Sequence, residues 1–297
     1  MKQKIYNLSP VWFSLLTYLF ITLILILIFD AGYLLTSTFI ISRAIVVIFL
    51  VARLFNNSLI FKKYGEFADV IFIYVLLAFF YGETARFNTY FLRPIDDVLS
   101  KFDSLIFGFQ PSLVFSEKFN STLFSELMFF GYFAYYIIPF AAFYYVWKNF
   151  RLQFQSFSFI VITSFFIYYL VFIIVPAVGP QFYFPWPLNH IEAKGPFGYL
   201  IKLIHKYGEA PTAAFPSSHV GIISILLILI IKINRLLFIV ILPFCILLFF
   251  STVYIKAHYF VDVLAGLASS VLILRLSEVL FLNTKILTKN LTYVNRD

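Results

Sequence analysis

One cysteine, Cys245, occurs in the whole sequence, and it lies inside an apolar run. That excludes an internal disulfide and a thiolate metal cluster and leaves a buried structural thiol. Charge is scarce as well. Asp, Glu, Lys and Arg make up 12% of the 297 residues, against roughly 25% in soluble domains. There is no internal repeat and no low-complexity tail. The first apolar run ends at Asp30 without a small-residue cleavage site, so a cleaved signal is not expected.

What the chain does contain is hydrocarbon. It is 62% hydrophobic, with 41 Phe and 20 Tyr, and its mean hydropathy is +0.94. Lipid must be the solvent for most of it, with Tyr and Trp near the interfaces. The net charge of +8 does not point to nucleic acid. The basic residues sit in short links between apolar runs, and no basic patch of the required kind is formed.

A bilayer core takes about 20 mostly apolar residues per helix. Runs of that kind fall at 11–29, 34–55, 67–82, 123–145, 157–177, 217–231, 236–253 and 261–281. The fold class expected is therefore all-α, a polytopic transmembrane helical bundle of about eight spans. Residues 1–60 would be N-terminal membrane helices, 61–284 a catalytic membrane domain and 285–297 a cytoplasmic tail. Arg43, near the middle of the second run, must face the bundle interior or snorkel to a surface, and a structural role is expected for it.

The links assign sides. Lys2, Lys4, Lys62, Lys63, Lys148, Arg151, Lys232, Arg235, Lys285 and Lys289 all fall on one face when the runs alternate. By the positive-inside rule that face is cytoplasmic. The opposite face receives Asp30, the long segments 83–122 and 178–216, and the link around Lys256. Within those segments, residues 100–109 and 197–206 read as interfacial amphipathic helices. Residues 176–187 hold four prolines and read as a shaped loop.

Three polar stretches share that non-cytoplasmic face. Pro216-Ser217-Ser218-His219 opens an apolar run. A Ser at a helix start caps free backbone N–H groups, which can instead meet a phosphate. His258 and Asp262 stand four apart, so on a helix they share a face. There a carboxylate can fix the imidazole tautomer and leave the other nitrogen free to attack or take a proton. Arg86 and Arg93, with Pro94 behind, can offer bidentate bonds to a phosphate. Each stretch alone has a plainer reading: a Pro-Ser cap beside an interfacial His, a satisfied polar pair at a span's end, two solvated cations.

Taken together, over about residues 66–282, they resemble the type 2 phosphatidic acid phosphatase superfamily. Its motifs are Lys, six residues, Arg-Pro; then Pro-Ser-Gly-His; then Ser-Arg, five residues, His, three residues, Asp. Here stand Arg86, six residues, Arg93-Pro94; then Pro216-Ser217-Ser218-His219; then Ser251-Thr252, five residues, His258, three residues, Asp262. The resemblance implies a six-helix phosphatase-type core and a metal-independent, cofactor-free reaction through a phosphohistidine. It makes His258 the nucleophile, Asp262 its orienting carboxylate and His219 the acid for the leaving alcohol. Arg86, Arg93 and Ser217 would hold phosphate oxygens. Arg86 departs from the family's Lys, Ser218 from its Gly and Thr252 from its Arg. Lys256, close to His258 in sequence, is the candidate replacement for that missing cation.

Asp103–Gly108, Pro176–Pro180 and Thr252–Tyr259 further resemble the inositolphosphotransferase branch, which includes inositol phosphorylceramide synthases. That branch implies a membrane phospholipid donor such as phosphatidylinositol and a lipid-alcohol acceptor such as ceramide. A lipid phosphate or isoprenoid-diphosphate phosphatase, with water as acceptor, is the nearest alternative. A transporter is the reading from another class, but ionisable residues inside the runs are few and the histidines gather at one face.

Overall fold

In lipid every backbone N–H and C=O must be satisfied within its own segment, so long apolar runs become helices. The computed structural model describes residues 8–55, 58–88 and 90–294, without the side chains of 59, 61, 62 and 285–294. Among the described residues it is all-α: α1 (Val11–Phe29), α2 (Ser37–Phe55), α3 (Leu59–Thr84), α4 (Asp96–Phe107), α5 (Pro111–Lys118), α6 (Thr122–Asn149), α7 (Arg151–Ile174), α8 (Pro180–Tyr183), α9 (Pro196–Gly208), α10 (Ser218–Ile233), α11 (Arg235–Tyr254) and α12 (Phe260–Val294). Seven of these are long and apolar enough to cross a membrane, and α10 is a shorter apolar helix of 16 residues. All eight expected runs are therefore helical. Lys2 and Lys4, two of the basic residues used to assign sides, lie outside the described residues.

Helix α7 forms the axis of the bundle. Every residue from Phe157 to Phe166 is buried, and α1, α3, α6, α10 and α12 all pack on it. A helix apolar all round belongs at such a centre. Its hydroxyls are satisfied locally or across helices: Ser158 Oγ donates to the Phe154 carbonyl at 2.7 Å, and Ser164 Oγ meets Ser277 Oγ of α12 at 3.1 Å.

The two N-terminal helices differ in how far they are built in. Helix α1 packs on α7 and α3, whereas α2 touches α3 and the 3₁₀ turn Ala31–Leu35 before it. That turn shortens the second span, expected from residue 34, to a start at Ser37. Arg43 does face inward. Its guanidinium binds both oxygens of Glu83 of α3, at 2.8 and 3.0 Å, and lies over the Phe39 ring. A second charged pair, Arg53 with Asp69 at 2.9 Å, ties the same two helices together lower down.

Between α3 and α6, and between α7 and α10, the long segments fold into short helices. The interfacial pieces expected at 100–109 and 197–206 are α4 and α9. Helix α5 carried no periodic signal strong enough to be read. The 176–187 segment is not wholly loop: Pro180 starts the one-turn α8, because proline suits the first turn of a helix. These pieces are pinned by carboxylates. Asp103 of α4 accepts from the backbone N–H groups of Phe260 and Val261, at 2.8 and 2.9 Å, at the start of α12. Asp96 accepts from Val178 and Gly179 N–H and from the Tyr259 hydroxyl. Burial pushes the Asp103 carboxyl up from its ordinary range, and the two N–H groups pull it back down.

Candidate active site

The start of α10 and the turn between α11 and α12 meet at one end of the bundle. Ser217 caps α10, its Oγ accepting from Val220 N–H at 3.4 Å, and its own N–H donates to the Asp262 carbonyl at 3.1 Å. Gly266 of α12 permits this approach, since a Cβ there would stand 2.5 Å from the Ser217 carbonyl oxygen. Gly179, at φ +87°, does the same on the other side, its absent Cβ lying 2.8 Å from the Ala257 carbonyl oxygen.

These constraints bring the two histidines together. His219 Nδ1 lies 3.1 Å from His258 Nε2. His258 Nδ1 lies 2.8 Å from the Ala214 carbonyl oxygen. A carbonyl only accepts, so Nδ1 of His258 carries the hydrogen and Nε2 presents its lone pair. His219 must then donate from Nδ1, which leaves its Nε2 as acceptor for the Tyr132 hydroxyl at 3.0 Å. One backbone carbonyl thus sets the tautomer of both rings. Tyr135 and Tyr132 flank His219, with ring centroids at 4.2 and 4.9 Å. His258 is 2% exposed and Asp262 is wholly buried.

Asp262 is near His258 in another way than helical spacing suggests. Residues 255–259 form a turn, and α12 begins only at Phe260. Asp262 Oδ2 stands 3.6 Å from His258 Nδ1, close enough for charge but too far for a hydrogen bond. The same oxygen accepts from Tyr259 N–H at 2.8 Å, capping α12. Orientation of the imidazole therefore falls to Ala214, and the Asp262 carboxyl stands behind the ring.

The expected phosphate ligands are not all gathered there. Ser217 is at the cluster, with its hydroxyl used as a cap. Lys256 turns away: at φ +67°, it sends its ammonium to the carbonyls of Leu188 and His190 at 2.5 and 3.1 Å. A buried ammonium needs such acceptors, and burial lowers its pKa from the ordinary lysine value. In this state Lys256 holds the 188–190 loop and does not fill the place of the missing arginine. Arg86 is paired with Asp30 at 3.3 Å and lies over the Tyr33 ring at 3.8 Å. Arg93 is exposed. Neither touches the histidines, but Asn88, between them, donates to the Pro211 carbonyl at 2.6 Å and accepts from Thr212. The first motif stretch is thereby fastened to the loop that leads into the second.

Sequence reading missed Tyr132, Glu209 and Ala214. Tyr132 is one of 20 tyrosines within an apolar run, and Ala214 acts through its backbone, so neither carries a local signature. A cavity of about 270 Å³ adjoins the cluster, lined by Gln181, Trp186, Asn189, His190, Lys202 and His205 among others. His190 is pushed down from its ordinary pKa by burial and by the Lys202 ammonium beside it.

The model of one protein family, described as the PAP2 superfamily, matches residues 99–276, more than half of the chain. The matched stretch contains His219, His258 and Asp262, while Arg86 and Arg93 precede it. No curated protein and no solved structure matches the chain.

Proposed function

The chain belongs to the PAP2 superfamily, a membrane lipid phosphatase or phosphotransferase type of enzyme, and from that premise we propose that it moves a phospho-headgroup between lipids. The donor is a phospholipid with a phosphoinositol-like headgroup and the acceptor is a lipid alcohol such as ceramide. His258 Nε2 attacks phosphorus in line and carries the group, and His219 protonates the departing alcohol. Arg86, Arg93, Ser217 and the start of α10 stabilise the equatorial oxygens, once Arg86 leaves Asp30. The site faces the non-cytoplasmic side, as the basic links imply.

The observation that carries this reading is the 3.1 Å approach of His219 Nδ1 to His258 Nε2. A nucleophile in the turn before α12 and an acid in the first turn of α10 face one another across the place where phosphorus must enter. Transfer to a lipid alcohol, in preference to water, is favoured by the burial of His258 and Asp262. A site so closed keeps water from a reactive phosphohistidine.

The test is purified protein in lipid nanodiscs given phosphatidylinositol labelled in the headgroup, with and without ceramide. Labelled sphingolipid formed only with ceramide supports the transferase. Water-soluble label released at the same rate without ceramide replaces that reading with hydrolysis.

A further inference from the structure

We propose that Tyr132 and Glu209 form a proton relay that recharges His219 within each turnover; the proposal rests on the phosphoryl-transfer reading above. His219 has two ring nitrogens and both are committed. Nδ1–H faces His258 Nε2, so it is the proton that a departing alkoxide receives. Giving it away alone would leave an imidazolate. Nε2 is met by the Tyr132 hydroxyl at 3.0 Å. That hydroxyl lies 3.4 Å from Glu209 Oε1, and Glu209 Oε1 lies 3.0 Å from His205 Nε2, an ion-pair approach outside hydrogen-bond alignment. The other carboxylate oxygen accepts from Gln181 Nε2 at 2.6 Å. His205 and Gln181 line the 270 Å³ cavity. Hydrogen-bond distances therefore run from the nucleophile through His219 and Tyr132 to Glu209, and the relay ends there. The other titratable groups near Glu209 are the phenols of Tyr81 of α3 and Tyr136 of α6.

The balance closes over a turnover. In the first step the His258 Nε2–phosphorus bond forms and the phosphorus–oxygen bond to the donor breaks. The His219 Nδ1 proton goes to the donor oxygen, the Tyr132 proton goes to His219 Nε2, and a proton that the proposal places on Glu209 Oε1 goes to the Tyr132 oxygen. In the second step the acceptor hydroxyl gives its proton to His219 Nδ1, its oxygen bonds phosphorus, the phosphorus–nitrogen bond breaks, and the other two proton shifts reverse. The enzyme ends as it began. Tyr132 is a positioning and relay residue; it does not touch phosphorus.

Tyr132→Phe keeps the ring packed on His219 and removes the proton, and Glu209→Gln keeps an acceptor oxygen and removes the store. Each is compared with wild type on phosphatidylinositol and on the 4-nitrophenyl ester of phosphoinositol. Loss of a proton donor costs on the order of 10²–10⁴-fold for an alkoxide leaving group. Both variants should show such a loss in the rate of enzyme phosphorylation by the phospholipid, with KM little changed. Their first-turnover burst of nitrophenolate, which needs no acid, should stay within a few-fold of wild type. Equal losses with both esters, or a rise in KM alone, assign Tyr132 and Glu209 to packing and overturn the relay. Unchanged rates in an active Glu209→Gln protein, the variant least disturbing to the fold, overturn it too. A wild type inert towards both esters removes the functional reading and the relay with it.

Discussion

His219 Nδ1 and His258 Nε2 are joined by a 3.1 Å hydrogen bond between the first turn of α10 and the turn before α12. The bond occupies the lone pair that the proposed reaction needs. A phosphorus atom in near-attack position sits about 3–3.5 Å from its nucleophile. The two nitrogens must therefore part by several ångströms before transfer, and the resting site is contracted around its own acid and nucleophile.

Trapping should follow that geometry. Brief mixing with headgroup-labelled phospholipid and rapid acid-free denaturation should leave base-stable, acid-labile label on wild type. His258→Ala should carry none. Label retained by His258→Ala moves the nucleophile elsewhere.

Asp262 has two tasks that substitution separates. Asp262→Asn keeps an oxygen for Tyr259 N–H but removes the charge behind His258. It should stay near wild type in thermal unfolding and lose turnover by at least about 10²-fold, as expected when an orienting charge is lost. Asp262→Ala should also lose the cap, about 1 kcal/mol, and melt earlier. Equal activity in Asn and wild type removes the electrostatic role.

Lys256→Ala tests what its ammonium does. Two loop carbonyls lose their partner, and each such hydrogen bond contributes a net of about 0.5–1.5 kcal/mol where water can replace it. The expected result is lower thermal stability and faster proteolysis within 185–191, with KM for the phospholipid changed much less. A large KM rise in a protein of unchanged stability would return Lys256 to the phosphate.

The Arg43–Glu83 pair should behave as a buried ion pair. Arg43→Met leaves Glu83 without its guanidinium and should destabilise by about 3–5 kcal/mol, while the double change to Met at both positions should restore most of that. Unfolding in detergent and denaturant reads it out. Equal losses in single and double variants point to packing of Arg43 on Phe39 and Phe80.

Much of this could be read before any coordinates. Each apolar run is a local property measured against a fixed lipid thickness, so all eight appeared as helices. The spacing His258-x-x-x-Asp262 and the Pro216–His219 stretch likewise survive as one cluster. What misled was the assumption that a four-residue spacing means a helix. Residues 255–259 turn, because the Lys256 backbone is left-handed and the Asp103 carboxylate starts α12 only at Phe260.

From sequence alone came the solvent of the chain, its helical class, the count of runs and the two histidines that meet at the candidate site, since composition and short-range spacing act within a single segment. Tertiary structure alone decided which ring nitrogen of His258 carries the hydrogen, that Ala214 sets it, that Lys256 and Arg86 are engaged elsewhere, and that Tyr132 leads to Glu209. Those outcomes depend on where groups distant in the chain come to lie, and a backbone carbonyl or one tyrosine among many has no mark in sequence to announce it.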